Sequence, residues 1–309
     1  MQKLKAQPLT PGARIGIVAP ASPVSTEAEL ETAVLRLEGF GFKAVLGKSI
    51  TPRAGYLSGN DRERVADLEQ MWGDDSLDAI WCLRGGYGTI RLLPYLCYPQ
   101  WARCPKVLVG FSDITALEWS LWTKIKLISF HGPVLTTLTG EFSRRQAQAI
   151  LSGANTAGAL EWPGNELSGL VTFRAGRAQG LLLGGNLATL VSLLGTPYFP
   201  DLTNVLLFIE EINEAAYRID RMLTQLRHSG VLDNIAGILV GQSIPVEGET
   251  QSDLITVFRE RLVDLPVPVA YGWPIGHLNH QWTLPQGVLA EMETVSGSLQ
   301  LCETPFAIV

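Results

Sequence analysis

The sequence predicts an α/β fold: a parallel sheet in the N-terminal part of the chain, followed by a second, smaller α/β domain. Two observations carry this. Short apolar runs alternate with amphipathic helical patterns in both halves, and 309 residues exceed the size to which a single core usually grows. A third supports them: 46% hydrophobic against 17% charged residues supplies ample core without help from disulfides or metals.

Taken in order, residues 13–20 read as a strand ending in a loop, and Thr26-Glu27-Ala28-Glu29-Leu30 opens a helix with acids in its first turn. A helix over 61–72 leads to a strand at 79–83, and a helix over 89–96 leads to the strand before Ser112. The helix containing residues 117–122 then feeds a strand at 127–130, closed by His131-Gly132-Pro133. Such alternation makes right-handed βαβ units, whose functional loops gather at the carboxyl ends of the strands. Periodicity weakens from about Thr136 to Arg177, so the chain divides into a domain over 1–140, a linker over 141–176 and a second domain over 177–309. In the last part, helices are expected at 186–194, 216–228 and 255–262, and strands at 204–209, 236–240 and 266–271. Further β-like segments lie around 287–292 and 298–302.

A net charge of −6 and the lack of any Lys/Arg cluster argue against nucleic acid or an anionic membrane as partner. No run of about 18 apolar residues predicts a membrane span. Cys82, Cys97, Cys104 and Cys302 stand far apart with no zinc-like spacing, so free thiols and no metal are expected. The N-terminus carries Lys3 and Lys5 but meets Pro8 and Pro11 before any long apolar core, unlike a secretory signal. Together these features point to the cytoplasm.

The most informative segment is Val107-Leu108-Val109-Gly110-Phe111-Ser112-Asp113-Ile114-Thr115. A serine where a strand turns sharply into a helix has its hydroxyl raised above the sheet edge. The following backbone N–H then faces any negative charge formed there. The second glycine of Gly-x-Ser-x-Gly is missing, and Ser112 and Asp113 also suit the plain task of capping a helix that begins at Ile114. A second turn, Arg84-Gly85-Gly86-Tyr87-Gly88, suits either an oxyanion hole or a tight turn needing positive φ. Phosphate cradling is the weaker reading, because Arg91 occupies the place of the third glycine.

Serine chemistry needs an imidazole. His228 ends a helix, where a cation simply complements the dipole. His131 follows a strand in the serine's own domain. His277 and His280 lie in an irregular, glycine-flanked loop, and His277 ranks first among the four. A carboxylate must orient the ring, and Glu210-Glu211 closes the apolar strand 204–209. Of the two, Glu211 reads as leaving into solvent and Glu210 as held in a site. Glu214, Arg218, Asp220 and Arg221 read as the solvated or ion-paired face of the next helix.

The stretches 109–113, 84–88, Gly184-Gly185-Asn186-Leu187, 208–214, 217–223 and Gly276-His277 together resemble the LD-carboxypeptidase family, which also holds the microcin C self-immunity peptidases. The similarity runs over nearly the whole chain in the family's order. It implies an N-terminal domain of the class I glutamine amidotransferase-like, flavodoxin-like kind. It implies too a serine peptidase with Ser112 as nucleophile, Glu210 as orienting acid, His277 as base, and the backbone amides of Gly86 and Asp113 as oxyanion hole. The substrate implied is a cytoplasmic murein tetrapeptide cut between an L-configured centre and a terminal D-amino acid, by a homodimer with no cofactor. Arg84 is one basic group that could hold the substrate's terminal carboxylate.

Trp273-Pro274-Ile275, before the histidine, departs from what the murein-recycling members lead one to expect. Substrate identity therefore stays open between a murein peptide and an aminoacyl-nucleotide antibiotic. A non-enzymatic two-domain binding protein is the rival of another class, and it would be expected to carry a secretory signal. Glutamine amidotransferase chemistry wants a cysteine where Ser112 stands.

Overall fold

In a computed structural model, which describes residues 2–51, 55–154, 157–165 and 169–307, the chain builds two sheets that share a continuous core. The first contains β1 (Arg14–Val18), β2 (Lys43–Leu46), β3 (Ala79–Cys82), β4 (Val107–Gly110) and β5 (Phe130–His131), parallel throughout, in the spatial order β2-β1-β3-β4-β5. Every residue of β3 and β4 is buried, as strands covered on both faces require. Helix α1 (Glu27–Glu38) starts at Thr26, whose side chain accepts from the Glu29 N–H; α2 (Asp61–Trp72) starts on a complete capping box between Asn60 and Glu63. The short α3 (Tyr98–Trp101) precedes β4, and α4 (Thr115–Ile125) leaves from the serine turn.

Two expectations fail here for local reasons. The helix over 89–96 is only two single 3-10 turns, Thr89–Arg91 and Leu93–Tyr95, because Pro94 lacks the N–H and its ring obstructs a continuous helix. The strand over 127–130 contributes only Phe130 to the sheet, while Leu127 bridges to Leu4 near the N-terminus.

The stretch 141–176, expected as a linker, carries regular structure: α5 (Glu141–Leu151), β6 (Gly158–Ala159) and β7 (Val171–Arg174). Its residues 155–156 and 166–168 lie outside the described residues. Next come β8 (Arg177–Asn186), α6 (Leu187–Leu193), β9 (Val205–Glu210), α7 (Ala216–His228), β10 (Gly237–Gly241), α8 (Gln251–Leu262) and β11 (Val269–Trp273). The chain closes with β12 (Leu284–Pro285), β13 (Leu289–Glu293) and β14 (Ser298–Leu301). The second sheet runs β6-β14-β13-β8-β9-β10-β11-β7, parallel from β8 to β11 and antiparallel toward both edges. Strand β12 instead returns to the first sheet, antiparallel to β5.

Strand β8, ten residues long, goes unread in the sequence because Gly180, Gly184 and Gly185 erase its β signal. Close approach explains the glycine at 184, where a Cβ would stand 1.9 Å from the Phe208 carbonyl oxygen. That backbone also joins the sheets: the Trp119 indole N–H of α4 donates to Gly184 O at 2.8 Å, and the Asn186 N–H donates to Thr115 Oγ1 at 3.1 Å. Apolar side chains continue the contact, with Leu117 and Leu121 in one cluster with Leu183, Leu187 and Leu207. The start of α4 is thereby fixed against the carboxyl ends of β8 and β9.

Candidate active site

Strand β4 ends at Gly110, Phe111 is extended, and Ser112 takes φ +62, in the left-handed region. Lys126, Asn204 and Asn213 are the other non-glycine residues described with positive φ. Asparagine tolerates that region and Lys126 merely ends a helix, so Ser112 stands apart as a strained position. The capping alternative is not realised. Neither the 3-10 turn Ser112–Ile114 nor α4 receives a side-chain cap, and the Asp113 carboxylate is directed elsewhere, accepting from the Thr89 N–H at 2.8 Å. Burial pushes the Asp113 carboxyl above its usual range, against the pull of that bond.

The glycine turn lies directly on the serine. A Cβ at Gly85 would be 3.0 Å from Ser112 Cβ and 3.1 Å from its Oγ. Gly86 has φ +116, so the positive-φ requirement read from the sequence holds. Among the described residues the Gly86 N–H donates to no protein acceptor. Asp113 is the second residue of its 3-10 turn, where backbone N–H groups precede the first intrahelical bond.

From the second sheet, Glu210 is the last residue of β9 and is fully buried. Its Oε2 lies 2.8 Å from Nδ1 of His277, whose side chain keeps 17% exposure. Gly276 lets the loop cross the carboxylate, since a Cβ there would fall 2.7 Å from Glu210 Oε2. The imidazole packs on the Phe111 ring at 4.6 Å between centroids, beside the serine. Burial alone would raise the Glu210 carboxyl, but the charge and hydrogen bond of His277 hold it below its ordinary value. Conversely, burial works against a charged His277, and the Glu210 carboxylate outweighs it to raise the imidazole above its ordinary value.

The remaining candidates separate clearly. His131 is fully buried beside Glu118, with Nδ1 3.7 Å from Glu118 Oε2, beyond hydrogen-bond distance. His280 is half-buried and makes no hydrogen bond among the described residues, and His228 ends α7 as expected. Arg84 is partly exposed, with Nη1 3.2 Å from Pro23 O and 4.0 Å from Glu29. Glu214 pairs with Arg218 and Asp220 with Arg261 on the surface. Glu211 corrects the sequence reading: it is buried, not solvated. Its carboxylate accepts from Asn186 Nδ2, from the Ala188 N–H at the start of α6, and from its own neighbour Ile212 N–H. Burial and the adjacent Glu210 charge still push it up to about 7.

Arg64 was missed. It is fully buried and donates to Gly59 O at 3.2 Å, to Gly88 O at 3.0 Å and to Pro20 O, beneath the glycine turn. The available signal was its place with Leu68 and Met71 on the apolar stripe of α2, an unusual position for an arginine. Among the described residues no three His, Cys, Asp or Glu side chains are grouped as a metal site, and no helix is long and apolar enough to cross a membrane.

The chain is similar to known proteins over most of its length. Residues 15–132 match the LD-carboxypeptidase N-terminal domain, and residues 179–292 match the LD-carboxypeptidase C-terminal domain. A probable murein peptide carboxypeptidase of Bacillus subtilis is 38% identical over 301 residues, covering 94% of this chain and 92% of that protein. The structure of the muramoyltetrapeptide carboxypeptidase from Oxalobacter formigenes is 29% identical, with a TM-score of 0.79 over 94% of this chain and 98% of its own. The Escherichia coli microcin C7 self-immunity protein MccF, solved in complex with aspartyl sulfamoyl adenosine, is 25% identical with a TM-score of 0.90, over 98% of this chain and 100% of its own.

Proposed function

Since this chain belongs to the LD-carboxypeptidase family of serine peptidases, we propose that it removes the terminal D-amino acid from murein tetrapeptides in the cytoplasm, cutting after an L-configured centre. One observation carries the reading: a buried carboxylate bonded to a partly exposed imidazole beside a strained serine turn. His277 donates Nδ1–H to Glu210, which leaves Nε2 free to take the Ser112 proton as the hydroxyl oxygen attacks the scissile carbonyl. The amides of Gly86 and Asp113 receive the oxyanion, where one donor is worth roughly 3 kcal/mol. His277 then protonates the departing D-amino acid, and water, activated by the same ring, releases the shortened peptide from Ser112.

The murein substrate is supported by a relative with such a name at 38% identity. A second reading, cleavage of an aminoacyl or peptidyl sulfamoyl-nucleotide, is favoured by the TM-score of 0.90 to MccF in its sulfamoyl adenosine complex. The test is to incubate the purified protein with a murein tetrapeptide and, separately, with aspartyl sulfamoyl adenosine. D-alanine release by wild type and none by Ser112→Ala is expected. Equal release by both removes the nucleophile. Turnover of the adenosine compound alone moves the assignment to the second reading.

A further inference from the structure

The Asp113 side chain has no role in the mechanism above, yet it is 6% exposed and bonded to the turn that carries Gly86. That turn is tied down at four backbone groups on either side of Gly86. Gly85 O accepts from the Ser22 N–H at 3.2 Å, the Tyr87 N–H donates to Ser22 Oγ at 3.3 Å, and Gly88 O accepts from buried Arg64 at 3.0 Å. The Thr89 N–H donates to Asp113 at 2.8 Å. Three of these anchors come from elements outside the serine turn, and the Asp113 carboxylate supplies a hydrogen bond that links the glycine turn to it.

We infer that the Asp113 carboxylate is a positioning residue that fixes the Gly86 amide opposite the Asp113 amide, so that the two oxyanion donors form one rigid pair. The inference rests on the acyl-transfer reading above. Its physical basis is that a hole works only with both donors within about 2.7–3.1 Å of the developing oxyanion, a position the substrate carbonyl does not occupy before attack. Loss of the link therefore falls on the transition state more than on substrate binding. The conservative Asp113→Asn change keeps an acceptor oxygen for Thr89, whereas Asp113→Ala removes it.

The experiment measures kcat and KM, on whichever of the two substrates wild type turns over, for Asp113→Ala, Asp113→Asn and Ser112→Ala. It also measures inhibition by a peptide boronic acid, whose tetrahedral adduct on a serine places a hydroxyl in the hole. For Asp113→Ala the expectation is a fall in kcat of about a hundredfold, KM within about threefold, and a matching loss of boronate affinity. Asp113→Asn recovers most of the loss. A kcat for Asp113→Ala within about threefold of wild type, or an Asp113→Asn as impaired as the alanine variant, overturns the inference. Should the alanine variant fail to fold, Asp113→Glu, which moves the acceptor by one methylene, is read by the same criteria for kcat, KM and boronate affinity. If Ser112→Ala is fully active the acyl-transfer reading falls first; if it is inactive while Asp113→Ala is not, only this inference falls.

Discussion

Among the described residues two glutamate–histidine pairs share contact with one phenylalanine, and they differ in distance and in the exposure of the imidazole. Glu210 and His277 meet at 2.8 Å with the imidazole partly open, whereas Glu118 and His131 stand 3.7 Å apart with both side chains fully buried. The Phe111 ring touches both imidazoles, His277 at 4.6 Å and His131 edge-on at 6.0 Å between centroids. Glu118 Oε2 is taken by Gln286 Nε2 at 2.8 Å, and the His131 ring is closed in by Phe208. Burial raises the Glu118 carboxyl against the opposing influence of His131 and so disfavours its charged form there. A base for serine chemistry needs one nitrogen held and the other accessible, a condition set by distance and exposure that only the first pair meets.

Removing the bases breaks the comparison most sharply. His277→Ala should lower kcat by about six powers of ten, as loss of the base does in serine peptidases generally. Glu210→Gln should cost about four powers of ten by favouring the wrong tautomer, and it gives a second readout. Because the working base is the neutral ring, kcat/KM rises with pH through the pKa of His277, which Glu210 holds above the ordinary value. Replacing the carboxylate by an amide removes that support, so the residual activity should develop at lower pH. A limb that stays in place would deny that the two groups are coupled.

How far the sequence disclosed this contrast depends on the kind of signal. Ser112 was legible because an apolar strand, a glycine and a helix start lie next to one another, and Glu210 because a charge closes four apolar residues. His277 stood out by its glycine neighbours and Glu210 was already a candidate to orient it, but the family resemblance was needed to choose this pair, since contacts between distant segments leave no local pattern. Glu211 was misread for the same reason: its donors at Asn186 and Ala188 belong to β8 and α6, and β8 itself was hidden by its glycines. The closed surroundings of His131 were equally invisible, because the residues that enclose it come from two strands, the serine turn and a helix.

Glu211 sharpens the comparison from the acidic side. Its carboxyl stands at about 7 in the folded protein, against an ordinary value near 4.5. A group raised in this way stabilises the fold below its unfolded pKa, and the contribution is lost as pH rises through the folded one. Stability should therefore decline between about pH 4.5 and 7, by at most about 3 kcal/mol from this group. Glu211→Gln should flatten the decline in urea melts across that window. A slope unchanged by the substitution would mean that the three donors to Glu211 outweigh its burial and the charge of Glu210.

The smallest effect expected on catalysis is the most exacting test of the contrast. His131→Asn takes away the second imidazole from a site with no path to solvent, so the loss should appear as stability, about 1–3 kcal/mol for a disturbed buried polar group. Turnover should stay within about threefold, because His131 reaches no reacting atom. The stability loss is separable from activity by assaying well below the melting temperature. A hundredfold fall in kcat with a shifted pH profile would mean that Phe111 transmits the state of one ring to the other. The two pairs would then be a single titrating unit, and exposure would no longer suffice to tell a working histidine from a packed one.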